Sequence, residues 1–554
     1  KALQQLATKL NITQWKVNSS SCPPGQGLSA THGSSISIVD CNCTFNNNTI
    51  CHVTKIELKS FNLQGELPVE FANLPYLRML DLTRNYLNGN IPRAWATLPL
   101  VTLSLLGNLV TGTIPKEIGD IRTLEDLNFQ DNRMEGPIPK ELGNLINLKR
   151  ILLGGNDYTG VLPDSLGNLK NLIDFRIDGA SFSGKIPEFI GNWTKLERLD
   201  MQGTSMEGPI PSTISLLTNL RELRITDLRA SNISFPDLRD LNKLTDLVLR
   251  NCSITGRIPQ YIGQSLTNIK NLDLSFNRLK GPVRDNLGSL RQLNFMYLTS
   301  NSLTGPVSQW LSVSKENIDI SYNNFTGSSQ SNNCQANYLK KIAIYSSPED
   351  KSIDWCLKKD LPCTTKSSQY ELFINCGGPK SSLHGKQYKQ DTRGMGPSEF
   401  FSNEKWACST TGDFLGDEKA GYRKTSTTGK PDDIYSSARL APFSLRYYGR
   451  CLIQGSYTVK LHFAEIVLTA DPTNNTRGWG KRIFDIYIQG DRVLSDFNIA
   501  EEAGGIGKGI EKEYKANVTG NTLEIHLYWS GKGTAALPVV GVYGPLISAI
   551  SVTP

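Results

Sequence analysis

Apolar residues recur along the first part of the chain with a period of about 24 residues. The segment LRMLDLTRNYLNGNIPRAWATLPL returns as LEDLNFQDNRMEGPIPKELGNLIN and again as LKRILLGGNDYTGVLPDSLGNLKN. Within each L-x-L core, two apolar side chains point to one face of a short strand and the residue between them points to the other. The pattern predicts a stack of coils, each giving one strand to a parallel sheet. The second apolar strand position falls at Leu58, Leu82, Leu105, Phe129, Leu153, Ile177, Met201, Ile225, Leu249, Leu274, Leu298 and Ile320.

Three residues after each of these positions the repeat favours asparagine, whose amide can hydrogen-bond the backbone of neighbouring coils. A G-x-I-P turn then leads to the other side of the coil. These features are typical of a plant-type leucine-rich repeat and predict an α/β solenoid of twelve coils. The asparagine position reads Phe61, Asn85, Asn108, Asn132, Asn156, Ala180, Thr204, Leu228, Cys252, Asn277, Asn301 and Asn323. The replacement of asparagine by Ala180, Thr204 and Leu228 indicates a binding site, a kink, or only a locally different coil.

A solenoid needs caps, because its end coils would otherwise expose their cores. Leu3, Leu6, Ala7 and Leu10 have helical spacing and precede a cysteine cluster, which predicts a helical, disulfide-bonded cap over residues 1–52. The repeats occupy residues 53–327, and a closing cap with a linker occupies residues 328–368.

From residue 369 the chain changes to short alternating apolar runs separated by Gly, Asn and Asp. This texture predicts an all-β antiparallel sandwich over residues 369–554. In YTVKLHFAEI, the side chains from Tyr457 to Phe463 at every second position share a packed face. Lys460 and His462 are expected on the opposite, wet face.

The eleven cysteines indicate an oxidising compartment, since ten fall into two clusters and ten N-x-S/T sequons accompany them. Zinc is the rival interpretation, but paired C-x2-C knuckles are absent from the sequence. We expect disulfides within Cys22, Cys41, Cys43 and Cys51, and within Cys334, Cys356, Cys363, Cys376, Cys408 and Cys451, with connectivity open. The candidate glycosylation sites are Asn11, Asn18, Asn42, Asn47, Asn192, Asn232, Asn251, Asn324, Asn474 and Asn517.

Cys252 is the remaining sulfur. It occupies an asparagine position of the repeat, where a buried thiol can still donate a weak hydrogen bond. We therefore expect a free thiol inside the solenoid. A reactive or intermolecular thiol is the alternative.

Composition and charge narrow the function classes. Hydrophobic residues at 38% and charged residues at 20% suit packed cores, and a net charge of +7 is too diffuse for a nucleic-acid binder. No apolar run is long enough for a membrane span, and no signal peptide opens the chain. The histidines show no metal spacing, and GGIGKG lacks the phosphate-loop spacing. We expect no cofactor, no metal and no catalytic residues.

Charged residues of alternating sign line the predicted concave face around the middle coils. Such a pattern indicates either cross-strand ion pairs on a solvated surface or a surface for a ligand or partner. The candidates for the second interpretation are Arg176, Arg198, Arg224, Arg250 and Tyr297.

Motifs in the second domain resemble those of a malectin-like domain. They are INCGGP, SLRYYG, LHFAEI, FDIYIQG and VYGPLISAISV. With the repeat array ahead of it, the whole chain resembles the extracellular part of a plant leucine-rich-repeat malectin receptor-like serine/threonine kinase. The resemblance implies a membrane helix and a cytoplasmic kinase beyond this chain, and a place on the extracellular side of the plasma membrane.

The resemblance also implies a glycan site of aromatic rings and one aspartate at the rim of the sandwich. Tyr388 is similar in position to the first ring and Phe414 to the second. The match then fails, because Val467 and Leu468 replace two adjacent aromatics and Gly544 replaces the aspartate. Other rings could replace them, since pyranose faces pack on aromatic planes. These candidates are Phe443, Tyr447, Tyr448, Trp479 and Trp529.

The sequence therefore favours a receptor ectodomain that binds a wall-derived oligosaccharide through the second domain and assembles with a co-receptor kinase. A peptide or protein receptor using the concave solenoid surface is the alternative. Wall adhesion without signalling, or glycan processing, is a third.

Overall fold

The computed structural model describes two compact units, Lys1–Glu222 with Pro236–Leu241 and Leu223–Phe235 with Asn242–Pro554. The second unit contains both the later coils and the sandwich. The residues described are 1–13, 15, 28–32, 35–45, 47, 50–313, 317–326, 334–336, 339–341, 369–414, 421–426, 433–468, 470–471, 474–478, 480–534 and 543–554.

The first unit begins with the amphipathic helix Ala2–Lys9, which buries Leu3 and Leu6. Trp15 follows the helix, and its Nε1 donates to Ser37 Oγ at 3.2 Å. The cap contains strands as well as a helix, namely Leu28–His32, Ser35–Phe45 and Ile50–Glu57, which pair antiparallel.

Parallel strands follow with one strand per repeat. Leu80 is opposite Leu103, and Leu103 is opposite Leu127, and all three are buried because every repeat places the same position inward. These strands are Met79–Asp81, Thr102–Ser104, Asp126–Asn128, Arg150–Leu152, Asp174–Arg176 and Arg198–Met201.

The outer side of most coils pairs a short strand with a short helix, which is a 3-10 helix throughout the first unit. Proline stands immediately before each of these 3-10 helices in the first unit, where its fixed φ suits the start of a helical turn. The outer strands are Gln64–Glu66, Tyr86–Gly89, Leu109–Gly112, Arg133–Gly136, Asp157–Gly160 and Ser181–Phe182. The helices are Val69–Asn73, Arg93–Thr97, Lys116–Asp120, Lys140–Asn144, Asp164–Asn168, Glu188–Asn192 and Ser212–Leu216.

The later repeats are built in a similar way, although two of their three outer helices are α-helices. Their inner strands are Glu222–Thr226, Asp246–Arg250, Asn271–Asp273, Phe295–Tyr297, Asn317–Asp319 and Leu339–Lys340, and Gln335–Ala336 closes the sheet by antiparallel pairing. The outer strands are Ile233–Ser234, Ile254–Gly256, Arg278–Gly281, Ser302–Pro306 and Asn324–Thr326. The helices are Tyr261–Gln264, Asp285–Ser289 and Gln309–Val313. The solenoid predicted from the period is confirmed.

The predicted sandwich is also confirmed, as two six-stranded sheets. The first contains Ser381–Leu383, Lys386–Gln390, Leu372–Asn375, Ala549–Thr553, Gly455–Ala464 and Gly509–Val518. The second contains Phe400–Ser402, Trp406–Thr411, Ser444–Arg450, Thr522–Tyr528, Phe484–Ile488 and Asp491–Phe497. A small sheet joins Arg423–Thr425, Ser437–Leu440 and Leu546–Ile547, a hairpin pairs Ala470–Asp471 with Asn474–Gly478, and one helix spans Ile499–Glu502.

The alternation in the long strand Gly455–Ala464 is only partly as predicted. Tyr457, Val459, Leu461 and Phe463 are buried, as expected. His462 was expected on the wet face but is buried too, because Tyr435 and Ser551 cover its ring nitrogens. The position of a residue on a strand face does not by itself show what covers that face.

The cysteine expectations need one correction. Cys43 and Cys51 form a disulfide, and Cys41, Cys334 and Cys451 are disulfide-bonded as well. Cys376 and Cys408 were expected in disulfides, but both are free and buried in the sandwich core. A free cysteine packs there as a small apolar side chain. Cys22, Cys356 and Cys363 lie outside the described residues. Cys252 is free and fully buried.

Candidate functional site

Tyr388 and Phe414, the two rings suggested by the malectin-like resemblance, lie in different clusters of the sandwich. The Tyr388 hydroxyl is 2.7 Å from Ser551 Oγ, and its ring meets the Phe373 ring at 5.4 Å. Phe414 is buried against Tyr422 and does not face solvent. Phe414 is therefore a core residue, and the expected pair of ring platforms is not formed.

The departures at Val467, Leu468 and Gly544 are built into the backbone. Glu465 Oε1 accepts hydrogen bonds from the backbone N–H groups of Val467 and Leu468, at 2.9 and 3.1 Å. Gly544 has a φ of +82°, and a Cβ there would lie 2.3 Å from the Ala441 carbonyl oxygen. An aspartate at this position would be strained and would clash. The aspartate implied by the malectin-like resemblance is therefore replaced by a glycine that the backbone requires.

Two of the replacement rings pack against the later coils instead of facing a ligand. Phe443 and Trp529 are buried, and the Arg250 guanidinium lies 4.3 Å from the centre of the Phe443 ring and 5.2 Å from that of Trp529. Tyr297 completes the cluster, with its ring 5.8 Å from Phe443. All four were candidates for ligand contact, and the structure corrects this. Cation–π and ring contacts join the sandwich to the coils here.

The other tyrosine candidates are buried as well. The Tyr448 hydroxyl hydrogen-bonds the Tyr322 hydroxyl of a late coil, and Tyr447 donates to Asp391 Oδ2 at 2.5 Å inside the sandwich. Burial raises the pKa of both tyrosines well above the ordinary range. Neither side chain is available to a sugar, and Trp479 lies outside the described residues.

A buried ion pair reinforces the contact between the late coils and the sandwich. Lys340 Nζ lies 2.7 Å from Asp319 Oδ2, and both side chains are fully buried. Lys340 also donates to Thr411 Oγ1 at 2.9 Å, on a sandwich strand. Burial lowers the pKa of Lys340, and Asp319 opposes that shift. Such a pair tolerates loss of both charges better than loss of one.

The concave arginines form ion pairs within a strand or with a neighbouring strand. In the first unit, Arg176 Nη2 lies 2.6 Å from Asp174, and Arg198 Nη1 lies 3.1 Å from Glu222. In the second unit, Arg224 Nη2 lies 3.1 Å from Asp246. These three ligand candidates are each paired with a carboxylate, Arg176 within its own strand and Arg198 and Arg224 across strands.

One carboxyl on the concave face of the first unit has an unusual titration. Burial, together with the nearby negative charge of Asp200, raises the pKa of Asp178 to about 7, although Arg176 and Arg198 oppose the shift. Its Oδ1 has no hydrogen-bond partner among the described atoms. The charge of this surface therefore changes close to neutral pH.

A shallow recess of 370 Å³ opens on the concave face of the first unit. Its lining is polar and contains both signs of charge, from Lys59, Asp81, Arg84, Asp126 and Arg150. A surface with both signs of charge can complement a charged partner such as a peptide.

A larger cleft of 810 Å³ lies entirely within the sandwich. It is lined by Lys380, Gln387, Tyr388, Lys389, Gln390, Asp391, Thr392, Arg393, Phe401, Asn403 and Trp406. The volume falls within the range of small-molecule sites, and aromatic groups beside amide and hydroxyl groups are typical of them. Of these residues, only Tyr388 was predicted from sequence. The run HGKQYKQDTR, basic around that tyrosine, was the available signal.

The cleft floor is held rigidly by Asp391. Its Oδ2 accepts from Arg439 Nε at 3.0 Å and from the Gly377 backbone N–H at 3.2 Å, in addition to the Tyr447 hydroxyl. Asp391 and Arg439 are both buried, so the acid is neutralised inside the domain. The cleft wall therefore keeps its shape without a ligand.

The remaining candidate sites concern glycans, metals and the membrane. Asn18 lies outside the described residues, and the side chain of Asn474 is not described. The other eight sequon asparagines are exposed. In the described ranges, His, Cys, Asp and Glu side chains form no group of three that could hold a metal ion. Within those same ranges no helix has the length and apolarity needed to span a bilayer.

Comparison with known families matches both parts of the chain. Residues 58–325 match the leucine-rich repeat region family, and residues 370–550 match the malectin domain family. These matches agree with the solenoid and the sandwich. The class of protein is thus a leucine-rich-repeat ectodomain joined to a malectin domain.

Two relatives from Arabidopsis thaliana match almost the whole of this chain. One probable LRR receptor-like serine/threonine-protein kinase is 56% identical over 95% of this chain and 51% of its own length, and another is 50% identical over 93% and 50%. The chain spans about half the length of the curated relatives it matches, and no kinase domain is identified in it. The chain belongs to the plant leucine-rich-repeat malectin receptor-like kinases and corresponds to their extracellular part.

A solved structure is similar over the repeats. It is the Arabidopsis receptor kinase HAESA in complex with the peptide hormone IDA and the co-receptor SERK1, with 27% identity and a TM-score of 0.51. The similarity covers 62% of this chain and 61% of the HAESA chain.

Proposed function

We propose that this chain is the ligand-binding ectodomain of a plant cell-surface receptor kinase and that the malectin domain binds a wall-derived oligosaccharide. The cleft of 810 Å³ carries the proposal. Phe401 is half-buried and offers a ring to a pyranose, while Gln390, Thr392 and Asn403 supply hydrogen-bonding groups. We do not assume the ligand of malectin itself, because the aspartate of the malectin glycan site is replaced here by Gly544.

Signalling would follow from assembly with a co-receptor kinase on the outer face of the plasma membrane. The kinase activity belongs to the part of the parent protein beyond this chain. The curated relatives described as receptor-like serine/threonine kinases support this proposal.

The test is calorimetric titration of the whole chain with cello-, manno- and galacturono-oligosaccharides. We expect one series to bind, and Phe401→Leu to weaken binding about fivefold, since a stacked ring contributes about 1 kcal/mol. Tyr370→Leu is the matched control, because Tyr370 is an exposed ring of the same domain outside the cleft. Absence of binding heat with all three series would contradict the proposed oligosaccharide-binding function.

A peptide receptor using the concave repeats is the second candidate function. The recess of 370 Å³ favours it, and so does the similarity to HAESA, a peptide hormone receptor in its solved complex. Arg84→Ala removes a charge from the recess wall and would then weaken the binding of a peptide ligand. Phe401→Leu would leave peptide binding unchanged. The reverse pattern would assign recognition to the malectin domain.

A further inference from the structure

Four cations border the malectin cleft without carboxylate partners. Lys380, Lys389 and Arg393 line it, and Lys405 lies beside Lys389. Among the described residues, none of the four takes part in an ion pair, although Arg393 lies over the Phe401 ring at 5.1 Å. These side chains give the cleft a local excess of positive charge.

Elsewhere on the same domain, several lysines are paired with carboxylates. Lys386 lies 2.9 Å from Glu371, Lys460 lies 2.7 Å from Glu511, and Lys532 lies 2.7 Å from Asp496. Lys508 and Lys515 instead donate to a carbonyl and a hydroxyl oxygen. The cleft is marked by several cations without carboxylate partners that lie together in one wall. Clustered like charges in a concave wall raise the local concentration of anions.

The acid that lines the cleft does not offset these charges. Asp391 is buried and is bound by Arg439, so its negative charge is already compensated. Two ammonium groups are also close to each other, since Lys389 is half-buried beside Lys405. A bound anion between them would relieve their repulsion.

From this arrangement we infer that the malectin cleft takes an acidic oligosaccharide, whose carboxylates contact Lys389 and Arg393 while a sugar ring packs on Phe401. The inference rests on the proposed function and names the class of sugar. A uronate oligomer carries one carboxylate on each pyranose ring, so it meets separate cations and a ring platform at once. A neutral oligosaccharide would leave the cations unpaired, and a small anion would leave the ring unused.

The experiment compares three ligands of equal length on the whole chain by calorimetry. They are an oligogalacturonate, its fully methyl-esterified form and a neutral cello-oligosaccharide. We expect the oligogalacturonate to bind at least tenfold more tightly than the other two, with an affinity that falls as salt rises. Lys389→Gln and Arg393→Gln should each weaken its binding about tenfold, equivalent to one charge-assisted contact.

Lys386→Gln is the matched control, because it removes an equal charge from the same strand outside the cleft. Its binding should equal that of the wild type. Equal affinity for the esterified or neutral sugar would overturn the acidic ligand and leave the proposed function intact. Displacement by inorganic sulfate at the affinity of the oligogalacturonate would also overturn it. No binding of any sugar would overturn both.

Discussion

At the scale of single residues, three cysteines are buried as free thiols, and burial suppresses the reactivity expected of an exposed thiol. Cys252 Sγ donates to the Ile225 and Arg250 carbonyl oxygens, at 3.4 and 3.3 Å, where the repeat normally uses asparagine. Burial raises the pKa of Cys252 and of Cys376 above the ordinary range, and the pKa of Cys408 to about 12. A thiol that does not ionise is a poor nucleophile.

The first prediction concerns alkylation. Native protein treated with iodoacetamide should remain unmodified at Cys252, Cys376 and Cys408, whereas unfolding in denaturant without reductant should expose all three. Peptide mass spectrometry of the digests provides the measurement. Disulfide-bonded Cys43 serves as the internal control and should react only after reduction. A modified Cys376 in the native protein would contradict the buried site.

The second prediction concerns acid stability. Burial lowers the pKa of His462 to about 4, with Glu511 opposing and Lys460 assisting the shift, and Tyr435, Tyr388 and Ser551 also face the ring. The unfolded histidine therefore binds the proton first as the pH falls through 6.5. The stability contributed by neutral His462 is full above that pH and is lost down to about pH 4.

Between pH 7 and pH 5 this linkage should cost the second unit about 2 kcal/mol. Thermal unfolding across that range provides the measurement. His462→Gln keeps hydrogen-bonding groups and should reduce the slope by this amount. The buried His526, whose pKa burial also lowers, supplies a remaining slope of the same sign. His384→Gln, at an exposed position, should retain the slope of the wild type. An unchanged slope in His462→Gln would refute the assignment.

At the scale of elements, asparagine holds consecutive coils together. Asn132 Nδ2 donates to the Leu105 and Phe129 carbonyl oxygens, at 2.9 and 3.1 Å, and its Oδ1 accepts from the Val110 N–H. One side chain thus satisfies groups on three backbone segments. Thr204 fills the same position in a later coil and donates to the Met201 carbonyl oxygen.

The third prediction follows from this difference. Asn132→Ala should destabilise the first unit by about 3 kcal/mol, since it leaves buried backbone groups without partners. Thr204→Ala should cost about 1 kcal/mol, because it removes one neutral hydrogen bond. Urea unfolding compares the two variants, and hydrogen exchange should show lost protection at the Val110 amide in Asn132→Ala alone. Equal losses of stability in the two variants would show that the asparagine hydrogen bonds between coils are not the cause.

At the scale of the whole molecule, the contact of greatest consequence lies within the second unit, where the sandwich meets the late coils. Arg250, Tyr297, Phe443 and Trp529 supply its rings and cation, and Lys340 with Asp319 supplies a fully buried ion pair. This surface uses the side chains that the sequence had suggested for ligands. Aromatic residues and arginine serve ligand sites and domain contacts equally well.

The fourth prediction tests the buried pair. Lys340→Met should destabilise the second unit by about 3–5 kcal/mol, because Asp319 is left buried without its cation. The double variant Lys340→Met with Asp319→Asn should recover most of the loss. Thermal unfolding of each variant provides the comparison, and Lys386→Met, which breaks an exposed pair, should cost under about 1 kcal/mol. Failure of the double variant to recover would contradict the charge argument.

The candidate site was only partly predictable. Tyr388 was identified from its motif, and it does line the cleft. Phe401, Trp406 and Arg393 were missed, because the cleft forms where strands of the two sheets come together and no local pattern marks that place. Phe414 and Tyr447 were misassigned, since a ring in a strand motif looks the same whether core atoms or solvent cover it.

The sequence alone determined the two architectures, the order of the domains and the buried position of Cys252. These follow from the backbone, since a coil or a strand repeats the same side-chain direction at a fixed spacing. Tertiary structure decided which rings dock on the coils, which cysteines stay free, how His462 is covered and where unpaired cations meet. Those outcomes depend on residues distant in the chain that bury one another, and burial is the property that local periodicity does not encode.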